Sequence, residues 1–442
     1  MGSERPFNLE SLRRDWIMGV SGLEFSKRVD DWSNRLAKVP QGPVLLAEQD
    51  PVEFAVVFMA SVFAKRSLVL GNPTWGRVEW GAVAAQLNPV LTVGRCGIKP
   101  SGVITNLPSG AILIPTGGSS GGVRFAHHDW DSLKLSADGW LAFAGSGVER
   151  ILCVLPLFHV SGLMQLVRSY LGELLLEFQT WKEIPQFAQE CNEGRVVSLV
   201  ATQLEHLMAS EQAMKALRGM RAIYLGGGPI RKETAERARA ESLPLVLSYG
   251  MTETGAMVSA LEVAGFLKGA FHAGRALKHA HISIVDTEGK SCVDGAIGRI
   301  KVKSRALFNG YHAGRSDGLH AGAFVTMDEG FLDASGQLHV LGRIDRLIQS
   351  GGEKIDPLEV EQALLQLDGV EAALVLGEAD VAWVERVVAF YVGPANLDME
   401  ACLKGVLASH KIPKRFFRVE SLPLNAVGKI DFSKVTNLIA RA

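Results

Sequence analysis

Residues 114–122 read IPTGGSSGG, set between the apolar run AIL and the segment VRFAHHDW. A strand-like run that passes into four glycines and three hydroxyls admits three readings. A linker would separate two regimes of composition, yet the same strand–loop–helix rhythm runs on both sides. Gly117-Gly118-Ser119-Ser120-Gly121 also fits the G-x-S-x-G of a nucleophile elbow. An elbow needs a helix to start at once, whereas here VRFAH intervenes and the helical pattern begins near Asp129. The third reading is a loop that wraps phosphates. Glycine frees backbone N–H groups, and these, with the hydroxyls of Thr116, Ser119 and Ser120, suit polyphosphate oxygens. Arg124 adds a positive charge nearby.

Outward from that stretch a unit recurs from about residue 100. AILIP leads to TGGSSGG, ILCVLP to LFHVSG, VVSLV to ATQ, AIYL to GGGPI, and PLVLS to YGMTETG. Continuous apolar strands alternating with helical patterns predict a parallel, doubly wound α/β sheet. In such sheets ligands sit beyond the carboxyl ends of the strands, where these five loops converge. From His281 the stretch HISIVDTEGKSCVDGAIGRIKVKS alternates apolar and polar residues around turn signals, predicting a small barrel-like β-subdomain. A compact α+β tail follows GRIDR at 342–346. It reads as a helix opening at Pro357, strands near 370–378 and 385–393, a helix near 397–409 and a loop LPLNAVGKID. The expected division is a large N-terminal domain over 1–344 and a small mobile domain over 345–442, with Asp345 at the boundary.

Composition narrows the partners. With 47% hydrophobic and 21% charged residues the chain reads as a soluble globular protein. A net charge of −1 leaves no footprint for nucleic acid or for an anionic membrane. Five scattered cysteines without C-x-x-C spacing fit reduced thiols in a cytoplasmic protein. The apolar run at 54–64 is too short to span a bilayer. Neither nucleic acid nor membrane insertion is therefore expected, and a homo-oligomer is left open.

Several residues are candidates for chemistry beside bland alternatives. Glu253, just past a strand end next to Thr252, can hold Mg²⁺, which takes oxygen ligands and arrives with phosphates; an isolated loop carboxylate is more often solvated. Asp328 can accept from ribose hydroxyls or close a turn. His159 at a strand end and Lys429 near the C-terminus read by default as a satisfied histidine and a surface lysine. Gly289-Lys290-Ser291 matches the end of a Walker A loop, but Ile284 stands where the first glycine belongs and the setting is a hairpin.

In order, TGGSSGG, PLFHVSG, GGGP, YGMTE, GRIDRLIQSGGEKIDPLEVE and LPLNAVGK resemble the acyl-CoA synthetase, adenylation-domain and luciferase superfamily over residues 110 to 435. That resemblance implies ATP, Mg²⁺ and coenzyme A as co-substrates and cofactor of a two-step ligase. It implies that Thr116, Ser119, Ser120, Gly121 and Arg124 cradle phosphates, that Thr252 touches the α-phosphate and that Glu253 binds Mg²⁺. Gly228, Pro229 and Tyr249 would flank adenine, Gly250 would belong to the same cofactor site, and Asp328 and Arg343 would hold the ribose. Asp345 would be the hinge, Gly351 and Gly352 would line the pantetheine tunnel, and Lys429 would be the adenylation lysine. The usual Pro-Lys after the phosphate loop is Val123-Arg124 here, which keeps the charge and changes its geometry.

The short N-terminus, PLFHVSGLMQLVRSYL and VVSLVATQLEHL are similar to the 2-succinylbenzoate–CoA ligase branch, which serves menaquinone and phylloquinone biosynthesis. On that likeness His159, Ser161, Arg168 and Thr202 face the acid, with the last three as partners of its benzoate carboxylate. A ligase for another aryl or acyl acid, a Ser119 hydrolase and an inactive nucleotide-binding homologue are the alternatives.

Overall fold

The computed structural model describes residues 9–99, 104–117, 123–190, 192–313, 318–350, 353–380, 383–404, 406–424, 430–431 and 434–435. Its first sheet is built from β1 (Val44–Ala47), β2 (Leu68–Leu70), β3 (Leu91–Gly94), β4 (Ile112–Gly117) and β5 (Val123–His128). Strands β3, β1, β2 and β4 are parallel, and β5 turns back antiparallel on β4 with Thr116 opposite Arg124. The elbow reading fails on this geometry, because a strand follows the glycine-rich stretch and the next helix starts at Trp130. Asp129 caps that helix by accepting from Ser132 N–H.

The second sheet holds β6 (Arg150–Cys153), β7 (Leu175–Phe178), β8 (Arg195–Leu199), β9 (Ala222–Leu225), β10 (Leu245–Met251), β11 (Ala256–Leu261) and β12 (Arg275–Ala276). From β7 to β10 it is parallel; β11 and β12 complete one edge antiparallel. Both sheets are covered on both faces, which is why their strands read as unbroken apolar runs. In β1, Val44 and Leu46 join the core between the sheets, while Leu45 and Ala47 enter a second core with Trp80. The central core also receives the helices Pro51–Phe63, Trp130–Ala144 and Val160–Gly172. The strand–helix recurrence thus begins before residue 100. The run at 54–64, legible in sequence as apolar and too short for a bilayer, belongs to a helix opened by Asp50 and Pro51 and buried on nearly every side. Among the described residues no helix is long and apolar enough to cross a membrane.

The third sheet is antiparallel: β13 (His281–Val285), β14 (Gly298–Lys303), β16 (Leu319–His320), β17 (Ala323–Leu332) and β18 (Leu338–Arg343). The short β15 (Tyr311–His312) leaves it to pair with β5 of the first sheet, Tyr311 opposite Ala126. Gly289 lies in the β13–β14 turn at φ 81°, so the Gly-Lys-Ser match is a hairpin turn. A 3₁₀ turn, Ile344–Arg346, leads to a fourth sheet of β19 (Ile348–Ser350), β20 (Glu353–Ile355), β21 (Ala372–Asp380), β22 (Val384–Val392) and β23 (Arg415–Arg418). Its helix Pro357–Leu365 starts at the expected proline. The second helix is shorter than the expected 397–409: it spans Met399–Leu403 and stops where Lys404 turns extended, ahead of a glycine in sequence.

Candidate active site

The carboxyl ends of β6, β8, β9 and β10 lead into residues 154–159, 200–202, 226–231 and 252–254 along one edge of the second sheet. Motif residues gather there in two clusters joined by the backbone from Tyr249 to Glu253. In the first, the Tyr249 hydroxyl donates to Asp328 Oδ2 at 2.6 Å, and both residues are buried. Arg343, opposite Asp328 in the β17–β18 register, brings Nη1 to 3.7 Å from its Oδ1. Burial and the adjacent Asp328 push the Tyr249 hydroxyl well above the ordinary tyrosine range, so it remains a donor. Gly250 follows at a bulge where β10 meets β11; a Cβ there would lie 2.1 Å from the Ala256 carbonyl oxygen.

The second cluster holds Arg124, Tyr311 and Glu253. Glu253 is buried and accepts from the Tyr311 hydroxyl at 2.6 Å through Oε1. Its backbone carbonyl accepts from Phe308 N–H at 2.9 Å. The Arg124 guanidinium lies over the Tyr311 ring, 4.6 Å from its centroid. The substituted arginine is therefore engaged by an aromatic face, for which its planar cation is well shaped. Thr252 is held from behind: its carbonyl contacts His128 Nε2 at 2.7 Å, while His128 Nδ1 is 3.2 Å from Ser132 Oγ. His128 is fully buried, and that burial lowers its pKa to about 4, so the ring is neutral at pH 7 and donates to Thr252. This contact ties the β4–β5 hairpin to the Thr252–Glu253 motif.

A third group lies on the helix after β6. His159 is its N-cap residue, with its ring 4.7 Å from that of Phe158. Ser161 and Arg168 follow on one face, seven residues apart. Arg168 is 4% exposed, and its Nε and Nη2 make no hydrogen bond among the described residues. Its guanidinium sits 5.0 Å from the centroid of Trp140. Burial lowers its pKa to about 10 against an upward pull from Tyr224, which leaves it charged at neutral pH. His279 lies nearby, its pKa lowered to about 4 by burial and then by Arg168. Gly139 makes room for that ring, since a Cβ there would meet His279 Nδ1 at 1.8 Å. A buried cation among neutral groups is costly unless an anion joins it.

Other expected site residues are dispersed. Thr116 faces Arg124 across the hairpin. Thr202 is in the first turn of the helix Ala201–Leu207, its carbonyl accepting from His206. Gly228 and Pro229 are exposed beyond β9. Asp345 is in the 3₁₀ turn after β18. Ser119, Ser120, Gly121, Gly351, Gly352 and Lys429 lie outside the described residues. Sequence reasoning passed over His128 and Tyr311. The signals were a histidine closing the strand before the Asp129 cap and an Asn-Gly-Tyr turn at 309–311.

The fit to a divalent ion can be judged from the donors. Among the described residues no group of three or more His, Cys, Asp or Glu gathers. Glu253 has one oxygen engaged by Tyr311, and no described residue donates to Oε2. One such carboxylate suits an ion delivered with phosphate oxygens, as Mg²⁺ usually is.

The protein-family model for AMP-binding enzymes matches residues 99–312, and that for the AMP-binding enzyme C-terminal domain matches 359–429. A curated 2-succinylbenzoate–CoA ligase from Enterococcus faecalis is 33% identical over 335 residues, covering 74% of this chain and 69% of its own. The ligase of that name from Bacillus velezensis is 35% identical over 348 residues, 75% and 69% of the two chains. Among solved structures, o-succinylbenzoate CoA synthetase from Bacillus subtilis in complex with its acyl-adenylate intermediate superposes with a TM-score of 0.79. It is 25% identical and covers 95% of this chain and 94% of its own. ATP-bound MatB from Rhodopseudomonas palustris reaches 0.82 at 22% identity over 99% of each chain, a likeness of fold.

Proposed function

The chain belongs to the AMP-binding enzyme family and, within it, to the 2-succinylbenzoate–CoA ligases; from that premise we propose that it joins 2-succinylbenzoate to coenzyme A at the expense of ATP. In the first step a carboxylate oxygen of the succinyl arm attacks the α-phosphorus, the bond to the β-phosphate bridge breaks, and pyrophosphate leaves. In the second the CoA sulfur attacks the acyl carbonyl, the carbon–oxygen bond to phosphate breaks, AMP departs, and the thiol proton passes to solvent. The protein's part is positioning and charge stabilisation.

Arg168 carries the substrate reading. Its buried, charged guanidinium with open donors suits a second carboxylate, the benzoate group that is not activated. Ser161, on the same helical face as Arg168, and Thr202 are further polar groups for that end. Asp328, held by Tyr249 and Arg343, offers acceptors for ribose hydroxyls, with the loop at Gly228 and Pro229 beside adenine. Thr116, Ser119, Ser120, Gly121 and Arg124 would enclose the phosphates. Glu253 would hold Mg²⁺, which supplies neutralisation of polyphosphate charge when bound.

The division at Asp345 belongs to the same reading. The third sheet closes at Arg343 and the fourth opens at Ile348, so few residues need turn for the 345–442 domain to rotate between steps. Free cysteines at 96, 153, 292 and 402 suit a cytoplasmic enzyme. Lys429 tests the two-step scheme. Its ammonium would offset repulsion between the carboxylate and the α-phosphate. Lys429→Ala should slow acyl-adenylate formation by about 10²–10³ yet convert supplied acyl-adenylate and CoA to thioester. Normal adenylation by the purified variant would remove Lys429 from the site.

A further inference from the structure

Glu253 is gripped at two points by one short segment. Phe308 N–H donates to its backbone carbonyl, and three residues on, the Tyr311 hydroxyl donates to side-chain Oε1. That segment is anchored in turn: β15 pairs with β5, Asn309 N–H donates to the His127 carbonyl, and the Phe308 and Tyr311 rings meet edge to face at 4.9 Å. Arg124 covers the Tyr311 ring, and a cation on the ring face strengthens the phenol as a donor.

Resting on the reading of Glu253 as the metal ligand, we propose that Tyr311 is a specificity-determining residue for the metal: by occupying Oε1 it confines Glu253 to one-oxygen ligation through Oε2. The consequence follows from coordination chemistry. Mg²⁺ and ions of similar size accept single oxygens from carboxylates in a strict octahedron, whereas Ca²⁺ accepts six to eight oxygens and readily takes a carboxylate through both. A carboxylate with one oxygen already engaged disfavours the larger ion. Arg124 supports the arrangement by lying over the ring of Tyr311, which gives the Val123-Arg124 replacement a physical role.

The test is direct. Bound Mn²⁺ is measured by electron paramagnetic resonance in the presence of ATP and the full-length protein, and Ca²⁺ is titrated in as competitor. Tyr311→Phe keeps the ring that packs on Phe308 and Arg124 and removes the hydroxyl alone. The Ca²⁺-to-Mn²⁺ affinity ratio should rise by roughly fivefold or more, the scale of one net hydrogen bond. Glu253→Gln should release most protein-bound Mn²⁺ signal from the ATP complex. An unchanged ratio in Tyr311→Phe, with Glu253→Gln still weakening Mn²⁺, would overturn the Tyr311 assignment alone. Undiminished Mn²⁺ binding in Glu253→Gln would overturn the assignment of Glu253 itself, and the Tyr311 proposal with it.

Discussion

Replacing Arg168 by methionine should separate binding from stability in opposite directions. The side chain is 4% exposed, and its pKa of about 10 keeps it charged at pH 7.5. Its neighbours Trp140, Tyr224 and His279 are neutral there: burial raises Tyr224 to about 12 and lowers His279 to about 4. A substrate carboxylate would be its counter-ion. At about 4 Å and an effective dielectric of about 20 the Coulomb energy is about 4 kcal/mol before desolvation. Hydrogen bonds to charged groups net about 1.5–3 kcal/mol, so KM for 2-succinylbenzoate should rise roughly 10- to 100-fold. Because the contact is remote from the reacting carboxylate, kcat should change little.

The control is an analogue, 4-oxo-4-phenylbutanoate, which lacks the benzoate carboxylate. It should show the same deficit with the wild-type enzyme and no added deficit with Arg168→Met. Without substrate, removing an uncompensated buried charge should leave the fold as stable or more so, by up to about 1–4 kcal/mol. The assays are steady-state kinetics with both acids and urea unfolding of both proteins. An unchanged KM for 2-succinylbenzoate, or equal losses for both acids, would refute the pairing of Arg168 with that carboxylate.

The remaining expectations concern acidity and the hinge. His128 has its pKa lowered from 6.5 to about 4 by burial. Its neutral form therefore stabilises the fold fully above pH 6.5, and that contribution of about 3 kcal/mol is lost as pH falls toward 4. His128→Gln, which keeps a donor for the Thr252 carbonyl, should flatten the acid limb of a stability-against-pH curve; an unaltered limb would exclude His128 as its source. Asp345→Pro fixes φ near −65° and should impair one half-reaction while sparing the other; equal loss of both in a folded variant would argue against a hinge there.

Much of this was legible in the chain because periodicity and turn chemistry are local. The strands at 112, 150, 195, 222 and 245 announce themselves as apolar runs ending in polar loops, and Pro357 marks its helix. The part of the first sheet before β4 was not legible, since β2 is three residues long and the helix at 51–63 is apolar on all sides, without amphipathic contrast. Site residues carried by motifs were readable as a set. Tyr311 and His128 were not, because their roles depend on pairings 58 and 124 residues away in sequence. Arg168 could be named from sequence, but its open donors became visible with the packing of Trp140 and His279 around it.

Acid-dependent ATP–pyrophosphate exchange, run with a panel of carboxylic acids, tests the central claim most directly. The account predicts exchange that requires acid and divalent metal and has its highest kcat/KM with 2-succinylbenzoate. Benzoate and simple fatty acids should fall well below it, since they cannot present one carboxylate to ATP and another to Arg168. A higher kcat/KM for benzoate or a fatty acid would contradict the substrate assignment, and acid-independent turnover or none at all would contradict the ligase itself.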